Sequence, residues 1–320
     1  MTEQKEMETG LAFGPVPSRR LGRSLGVNNV PPKVCSYACV YCQLGRTINM
    51  SVERQQFYQP RELLRAVEEK VQKAGHSDEK IDYLTFVPDG EPTLDSNLGR
   101  EIDLLRSLGL KIAVISNSSL IWREDVREDL RKANWVSLKV DATRADAWRQ
   151  IDRPHGSLAL DSILEGVTEF AATFGGRLVT ETMLVRGIND SRAHLEEVAE
   201  FVSQVHPSVA YLSIPTRPPA EDWVQTPAED DLNQAYQVFS ERLDGVEYLI
   251  DYEGVSFALT GGAEEDLLSI TAVHPMRRDA VSALLSKAGA GWSVVEGLVD
   301  AELLAETEYS GEMFYVRKFH

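Results

Sequence analysis

The sequence predicts an α/β protein built on a parallel sheet, and three observations support this fold class. Short apolar stretches alternate with amphipathic stretches between residues 24 and 243, which is the pattern of parallel strands joined by helices. The chain has 320 residues, of which 43% are hydrophobic, enough for one large domain or for a large and a small one. A Gly-Gly pair at 261–262 precedes a different pattern and predicts a domain boundary.

Six strand-and-helix units are predicted in order. The strands are expected at 24–30, 81–87, 111–116, 135–140, 177–184 and 209–214. The helices are expected at 61–74, 96–109, 123–133, 159–174, 190–205 and 228–243. Six units are too few for an eight-unit barrel. A partial (β/α)6 barrel and an open, doubly wound sheet are therefore the two architectures that fit.

The two ends of the chain differ from this central part. Residues 1–10 are polar and are predicted to be disordered, so the barrel domain is expected to span 11–260. Residues 261–320 predict three helices and a hairpin at Ser310-Gly311, which together resemble a winged helix. From residue 262 onward there are ten acidic residues against five Lys and Arg. A DNA-reading module is expected to be basic, so DNA binding is disfavoured.

The composition excludes several classes of protein. The formal net charge is −17, which disfavours broad binding to a phosphate backbone. No apolar run approaches the ~18 residues of a membrane-spanning helix, and the first residues lack the pattern of a secretory signal. The sequence therefore predicts a cytoplasmic protein without a membrane partner. It predicts nothing about the oligomeric state.

All three cysteines of the chain lie in one short segment. Cys35, Cys39 and Cys42 have the spacing C-x3-C-x2-C, and an odd, tightly clustered set is not a disulfide framework. Thiolates suit zinc or iron–sulfur clusters. A structural zinc site requires four protein ligands, whereas three cysteines on a cubane cluster leave one iron open. A zinc site and an incidental group of thiols are the alternatives.

This spacing, with Tyr41 just before the last cysteine, resembles the signature of the radical S-adenosylmethionine (SAM) superfamily. The resemblance implies one [4Fe–4S] cluster, whose open iron chelates the amino and carboxylate groups of SAM. An electron from an external flavodoxin- or ferredoxin-like donor would then cleave SAM to methionine and a 5′-deoxyadenosyl radical, which abstracts hydrogen from a substrate. The resemblance also favours the partial barrel over the open sheet.

A second motif follows the second predicted strand. The segment Pro-Asp-Gly-Glu-Pro at 88–92 resembles the Gly-Gly-Glu segment of the superfamily, with Asp89 in place of the first glycine. The resemblance implies that Gly90 and Glu91 contact the amino group of the methionine part of SAM. A glycine also permits close approach of the backbone to a ligand. An ordinary turn is the alternative.

Polar residues end the next two strands. Ser116 and Asn117 resemble the groups that contact the SAM carboxylate, and Lys139 and Asp141 resemble the groups that contact the carboxylate and the ribose. Because side chains alternate along a strand, Lys139 and Asp141 are expected on one face, where a simple salt bridge is the alternative. The resemblance places Tyr41 near the adenine.

The N-terminal segment and the cysteine loop resemble an uncharacterised group of Fe–S oxidoreductases related to the wybutosine-forming enzymes of tRNA modification. Two departures disfavour the wyosine reaction, since no cysteine remains for a second cluster and 177–184 has no lysine. An RNA base, a peptide or protein, and a small molecule stay open as substrates. The catalytic residues that act on the substrate are not identified.

Four arginines near the cysteine loop complete the candidate residues. These arginines would pair either with a phosphate or carboxylate of the substrate or with the surplus acidic residues of the chain. They are Arg19, Arg20, Arg23 and Arg46. The alternative function is a binding or regulatory protein that depends on a metal cluster and uses the winged helix as its reader.

Overall fold

The computed structural model describes residues 10–76, 79–250, 254 and 257–318. The strands are β1 (Ala12–Ser18), β2 (Gly22–Val27), β3 (Val34–Cys35), β4 (Asn49–Met50), β5 (Tyr83–Phe86), β6 (Lys111–Ser116), β7 (Trp135–Lys139), β8 (Arg177–Met183), β9 (Val209–Ser213), β10 (Val246–Leu249), β11 (Met276–Arg277), β12 (Leu304–Tyr309) and β13 (Glu312–Arg317). The helices are α1 (Pro60–His76), α2 (Leu98–Leu105), α3 (Glu124–Leu130), α4 (Ala145–Ile151), α5 (Leu160–Thr173), α6 (Arg192–Val205), α7 (Glu229–Ser240), α8 (Ala263–Thr271), α9 (Arg278–Ala288) and α10 (Ser293–Asp300).

One eight-stranded sheet, in the order β1-β2-β5-β6-β7-β8-β9-β10, forms the centre of the fold. The pair β1–β2 is antiparallel, and every other neighbouring pair in it is parallel. The predicted α/β fold with a mostly parallel sheet is therefore confirmed, and each of the six predicted strands overlaps a strand of this sheet. Such a sheet is consistent with a partial barrel.

The helices cover one face of the sheet because their apolar residues recur at helical spacing. Leu63 and Val67 of α1 and Ile102 of α2 are fully buried, and they belong to the same core cluster as Leu84 of β5 and Val114 of β6. Because the parallel strands run in one direction, the loops that follow them lie at one end of the sheet. Active and binding sites of α/β proteins are found at this end.

Both edge strands of the sheet are absent from the sequence prediction. The β1 segment Ala-Phe-Gly-Pro-Val-Pro-Ser contains two prolines, which cannot donate to a strand ladder and are tolerated at an edge. Its pairing with β2 shifts register between Phe13 and Val16. The other edge strand, β10, has only four residues and is only partly buried. Neither segment shows the apolar pattern of a central strand.

Residues after the Gly-Gly pair form three helices and the predicted hairpin, in which Tyr309 faces Glu312. The hairpin joins β11 in a three-stranded sheet. The core of this part also contains Phe13, Val16 and Phe257, so the C-terminal part packs against β1. The disorder predicted for 1–10 lies outside the described residues, except for residue 10. Within the described residues, no helix has the length and apolarity needed to cross a bilayer.

Candidate functional site

The cysteine loop lies across the ends of the parallel strands. Its strand β3 forms a bridge from Val34 to Gly90, in the loop after β5. Further along, the Val40 amide donates to the Ile151 carbonyl at 2.9 Å, which ties the loop to the end of α4. The loop between β2 and α1 thus reaches the carboxyl end of the sheet, as the sequence predicts.

Gly90 is required by this contact with the cysteine loop. A Cβ atom at position 90 would lie 2.1 Å from the Val34 carbonyl oxygen and 2.9 Å from a methyl group of Val30. The close approach expected at Gly90 is therefore made by the backbone that carries the cysteines. A glycine here positions the loop and needs no ligand to explain it.

Glu91 is a buried carboxylate held by groups of the chain. Its Oε1 accepts hydrogen bonds from the Thr93 amide at 3.1 Å, the Thr93 hydroxyl at 2.6 Å and the Ser116 hydroxyl at 2.8 Å. Its Oε2 accepts one, from the Asn117 amide at 2.8 Å. Burial raises the pKa of Glu91, and these donors oppose the shift. Glu91 therefore links the loop after β5 to the end of β6. Its Oε2 accepts one hydrogen bond and has the capacity to accept another.

Asn117 connects the end of β6 to the cysteine loop. Its side-chain amide lies 3.4 Å from Cys35 Sγ and 3.1 Å from Ser36 Oγ. Ser116 is occupied by Glu91 and by the Ser118 amide, which donates to Ser116 Oγ at 3.0 Å. Of these two predicted residues, Asn117 therefore contacts a cysteine directly, and Ser116 acts through Glu91.

The three thiols are partly buried and lie within electrostatic range of one another. Burial, together with the charge of Glu91, raises the pKa of Cys35 to about 12. Burial is also the main cause of the raised pKa of Cys39 and of Cys42. Cys39 lies within electrostatic range of both other cysteines, and its Sγ is 3.4 Å from an oxygen of Asp152. A positive metal cluster would reverse the cost of ionising such thiols.

Lys139 and Asp141 lie close to each other at the end of β7. Lys139 Nζ lies 3.9 Å from Asp141 Oδ2 and 4.5 Å from the centre of the Tyr41 ring. The Tyr41 hydroxyl donates to Asp141, and the Met183 amide donates to the other oxygen of Asp141 at 2.7 Å. Burial raises the pKa of Asp141, although Lys139 opposes the shift. Tyr41, Lys139 and Asp141 thus form one unit beside the cysteines.

Two residues absent from the predicted site complete this unit. Glu181, in the middle of β8, accepts hydrogen bonds from Lys139 at 3.3 Å and from Arg20. Burial opposes the ionisation of Glu181, but Lys139 and Arg20 more than offset it, so its pKa is lowered. Asp152 accepts from the Tyr41 hydroxyl at 3.3 Å. An acidic residue inside an otherwise buried strand was the sequence signal for Glu181.

Three of the four arginines named as candidates for a substrate anion or for the chain's own acidic residues pair with carboxylates of the chain. Arg20 pairs with Glu181 and Arg46 with Glu221. Arg23 pairs with Glu79 and lies near the start of β2, whereas the cysteine loop follows the end of that strand. The expectation that Arg23 flanks the cysteine loop is therefore wrong, because a strand separates the two.

Comparison with known proteins decides the family. Residues 29–202, more than half of the chain, match the family model described as the Radical SAM superfamily. The chain belongs to the radical SAM superfamily. Membership makes it a radical SAM enzyme and implies a [4Fe–4S] cluster and SAM as cofactors. Enzymes of this superfamily generally need an electron donor.

Several relatives of this radical SAM enzyme are known. A UPF0026 protein of Methanocaldococcus jannaschii is 45% identical over 309 residues, which are 96% of each chain. The solved structure of TYW1 with a lysine-pyruvate adduct bound has a TM-score of 0.53 and 19% identity, over 69% of this chain and 74% of that one. A radical SAM methyltransferase from Sphaerobacter thermophilus has a TM-score of 0.54 and 15% identity, over 71% and 66%. These two structures are similar in fold.

The residues of the cysteine loop fit an iron–sulfur cluster. Among the described residues, no three His, Cys, Asp or Glu side chains are arranged around a single metal ion. Each thiolate of a cubane binds a different iron, so the three thiols need not converge on one point. Beside Cys42, Asp89 Oδ2 is buried without a hydrogen-bond partner. The other oxygen, Asp89 Oδ1, lies 3.4 Å from Lys33 Nζ.

Proposed function

We propose that this protein uses a single [4Fe–4S] cluster, held by Cys35, Cys39 and Cys42, to cleave SAM reductively. When the cluster and SAM are both bound, cleavage of SAM would supply methionine and a 5′-deoxyadenosyl radical. The radical would take a hydrogen atom from the substrate. The observation that carries the proposal is that the chain has only these three cysteines. They lie together at the carboxyl end of the parallel sheet, and three thiolates leave one iron open.

The groups around the loop are proposed to hold the amino end of SAM. Glu91 Oε2 has room for one more donor, and the free oxygen of Asp89 lies beside Cys42. Both oxygens suit an ammonium group, with Gly90 keeping the two carboxylates against the cysteine loop. Asp89 stands where the superfamily segment has a glycine, and its charge is offset by Lys33, whose Nζ lies 3.4 Å from Asp89 Oδ1.

The remaining predicted contacts are proposed for the other end of the molecule. Lys139 and Asn117 supply donors for the SAM carboxylate, with Ser116 holding the Glu91 carboxylate in place. Asp141 is proposed to accept from the ribose and Tyr41 to pack near the adenine. Because Tyr41 already donates to Asp141, a ribose hydroxyl would share or replace that bond.

The substrate is proposed to be a small molecule or a peptide rather than RNA. Arg20, Arg23 and Arg46 each pair with a carboxylate, and the chain carries a net charge of −17. Both facts disfavour binding of the phosphate backbone of RNA. An external flavodoxin- or ferredoxin-like protein is proposed to supply the electron. Residues 261–320 are proposed to form a winged-helix-like module, since they contain three helices and a hairpin.

Anaerobic reconstitution tests the proposal. We expect about four irons per chain, a count that follows from one cubane cluster, and formation of 5′-deoxyadenosine when dithionite and SAM are added. The iron and the formation of 5′-deoxyadenosine should both be lost in each of the variants Cys35→Ser, Cys39→Ser and Cys42→Ser. The control variant Asn49→Ser, at an exposed position of the same loop, should keep the iron and the product. One zinc per chain without SAM binding would instead support a metal-dependent regulatory protein.

A further inference from the structure

A cavity of about 290 Å³ lies in the C-terminal part of the chain, apart from the cysteine site. Helix α10, with the residue before it, forms one wall, and strand β12 contributes to the other. The lining residues are one aromatic residue, two valines and three acids: Trp292, Val295, Val299, Glu296, Asp300 and Glu306. Sites that hold whole small molecules occupy about 300–1,000 Å³, so this volume suits a single long side chain.

The cavity is negatively charged. Its three acids, Glu296, Asp300 and Glu306, are exposed, and within the described part of the chain none of them takes part in an ion pair. The Tyr315 hydroxyl donates to Glu306 at 2.8 Å, and this neutral donor leaves the charge in place. The guanidinium of Arg278 lies 4.9 Å from the centre of the tryptophan ring. Three carboxylates against one guanidinium leave two negative charges at the cavity.

The sequence around the cavity extends this charge. Residues 288–316 contain no Lys or Arg, and their acidic residues are Glu296, Asp300, Glu302, Glu306, Glu308 and Glu312. Two of these acids pair with cations from outside the segment, Glu302 with Lys318 and Glu312 with Arg277. A cationic head on an apolar stem suits this site, because the valines can cover the stem while the carboxylates meet the head.

The strand that lines the cavity also has an open edge. The three-stranded sheet has the order β11-β13-β12, so within the described residues β12 pairs with β13 alone. The N–H and C=O groups on its other side therefore have no neighbouring strand. An extended polypeptide segment can add to such an edge through main-chain hydrogen bonds, and a pocket beside the strand then selects one of its side chains. Glu306, which lines the cavity, lies within β12.

We propose that the six lining residues and the open edge of β12, here called the α10–β12 groove, bind an extended polypeptide segment that carries a lysine or arginine. The main chain of the segment would pair with β12. Its basic side chain would lie along Val295 and Val299, with the charged end among the three carboxylates. The inference goes beyond the proposed function, because this binding requires neither the cluster nor SAM.

The groove lies beside the carboxyl end of the large sheet. At the end of β12, the Tyr309 hydroxyl donates to the Pro215 carbonyl at 3.0 Å, in the loop that follows β9. Glu306 precedes Tyr309 by three positions, which is about 10 Å along a strand. A polypeptide segment longer than the groove would therefore extend toward the loops at that end of the sheet.

Titration with a capped seven-residue peptide of threonine and serine, with one central lysine, tests the groove. The measured quantity is the indole N–H resonance of Trp292 in the full chain, which is assigned by its absence in Trp292→Phe. We expect a saturable shift, with an affinity that falls as salt is added. The same peptide with norleucine in place of lysine should bind about tenfold more weakly, because several exposed ion pairs are lost together. The butylammonium ion and a lysine peptide with an N-methylated backbone should also bind about tenfold more weakly, because neither can pair with β12.

Variants of the acids give a second arm. The combined variant Glu296→Gln, Asp300→Asn and Glu306→Gln should bind the lysine peptide about tenfold more weakly. Glu264→Gln removes an exposed acid of the same part of the chain, in α8, and should leave the affinity unchanged.

Three results would overturn the α10–β12 groove as a polypeptide site. They are an unchanged Trp292 resonance with the lysine peptide at low salt, equal affinity for the norleucine peptide or the butylammonium ion, and a loss in Glu264→Gln as large as that in the combined variant. Absence of 5′-deoxyadenosine with dithionite would contradict the proposed function instead, while the peptide titrations still decide the groove.

Discussion

Two groups of buried carboxylates in this protein differ in the cations that lie near them. Beside the cysteines, Glu181 and Asp141 contact Lys139, and Glu181 also contacts Arg20. Behind the Glu91 turn, Asp95 and Glu101 are both fully buried. The guanidinium of Arg54 donates to the Asp95 backbone oxygen at 2.8 Å, and its ion pairs are with Asp125 and Asp129.

The pKa values of the carboxyl groups differ as a result. Glu181 has a lowered pKa because Lys139 and Arg20 more than offset the cost of burial. Burial raises the pKa of both Glu101 and Asp95, and each carboxyl raises the cost of ionising the pair. Burial alone therefore does not decide whether an acid is charged. The cations near the cysteines favour the charged form of Glu181, whereas Asp141 keeps a raised pKa because its burial outweighs the effect of Lys139.

The largest effect is expected from removing the cation that the first group shares. Lys139→Met leaves Glu181 and Asp141 without their common partner, and breaking a buried pair costs about 3–5 kcal/mol. Denaturation in urea at pH 7 measures the loss. Lys132→Met, which breaks the half-exposed pair with Asp103, should cost at most about 1 kcal/mol. Equal losses in the two variants would remove the distinction between the groups.

A smaller loss is expected from Arg20→Met, because Glu181 keeps Lys139. Losing a hydrogen bond to a charged group costs about 1.5–3 kcal/mol. Since the pKa of Glu181 is lowered on folding, its contribution to stability is present above its unfolded value of about 4.5 and is lost as pH falls below that value. The variant should therefore show a weaker decline in stability below pH 5, measured by denaturation between pH 3 and 7.

Tyr41→Phe should cost about 1–2 kcal/mol, because it removes a neutral donor from Asp141 and Asp152 and leaves buried acceptors unsatisfied. The shape of the ring and its contact with Lys139 are kept. Urea denaturation measures this change as well. A loss as large as that of Lys139→Met would mean that hydrogen bonding, rather than cation pairing, holds the first group together.

The smallest effect at pH 5 is expected from Glu101→Gln. There the wild-type side chain is protonated, and an amide of similar shape should change stability by at most about 1 kcal/mol. Because the pKa of Glu101 is raised on folding, the wild type should lose stability as pH rises above its unfolded value of about 4.5, by up to about 1.4 kcal/mol per pH unit. The variant should show a flatter profile. An unchanged slope would show that Glu101 is not the titrating group.

Much of the fold was predictable from local patterns. The six predicted strands are found in the sheet because a buried parallel strand is a short apolar run, and its pattern is read within a few residues. The edge strands were missed because an edge requires no such run. The helix predicted at 96–109 divides into α2 and a short turn that ends at Gly109, which has a positive φ of 69°. The unpredicted α4 has only seven residues.

The sequence by itself determined the three cysteines, the turn with Gly90 and Glu91, and the polar residues at the strand ends, because each of these lies within a short segment of known pattern. The tertiary structure alone decided which charges meet. Arg20 reaches Glu181 across 161 positions of the chain, and Arg46 reaches Glu221 across 175. Such pairs depend on strand order and register, and these are set by packing over the whole sheet. No local pattern specifies them.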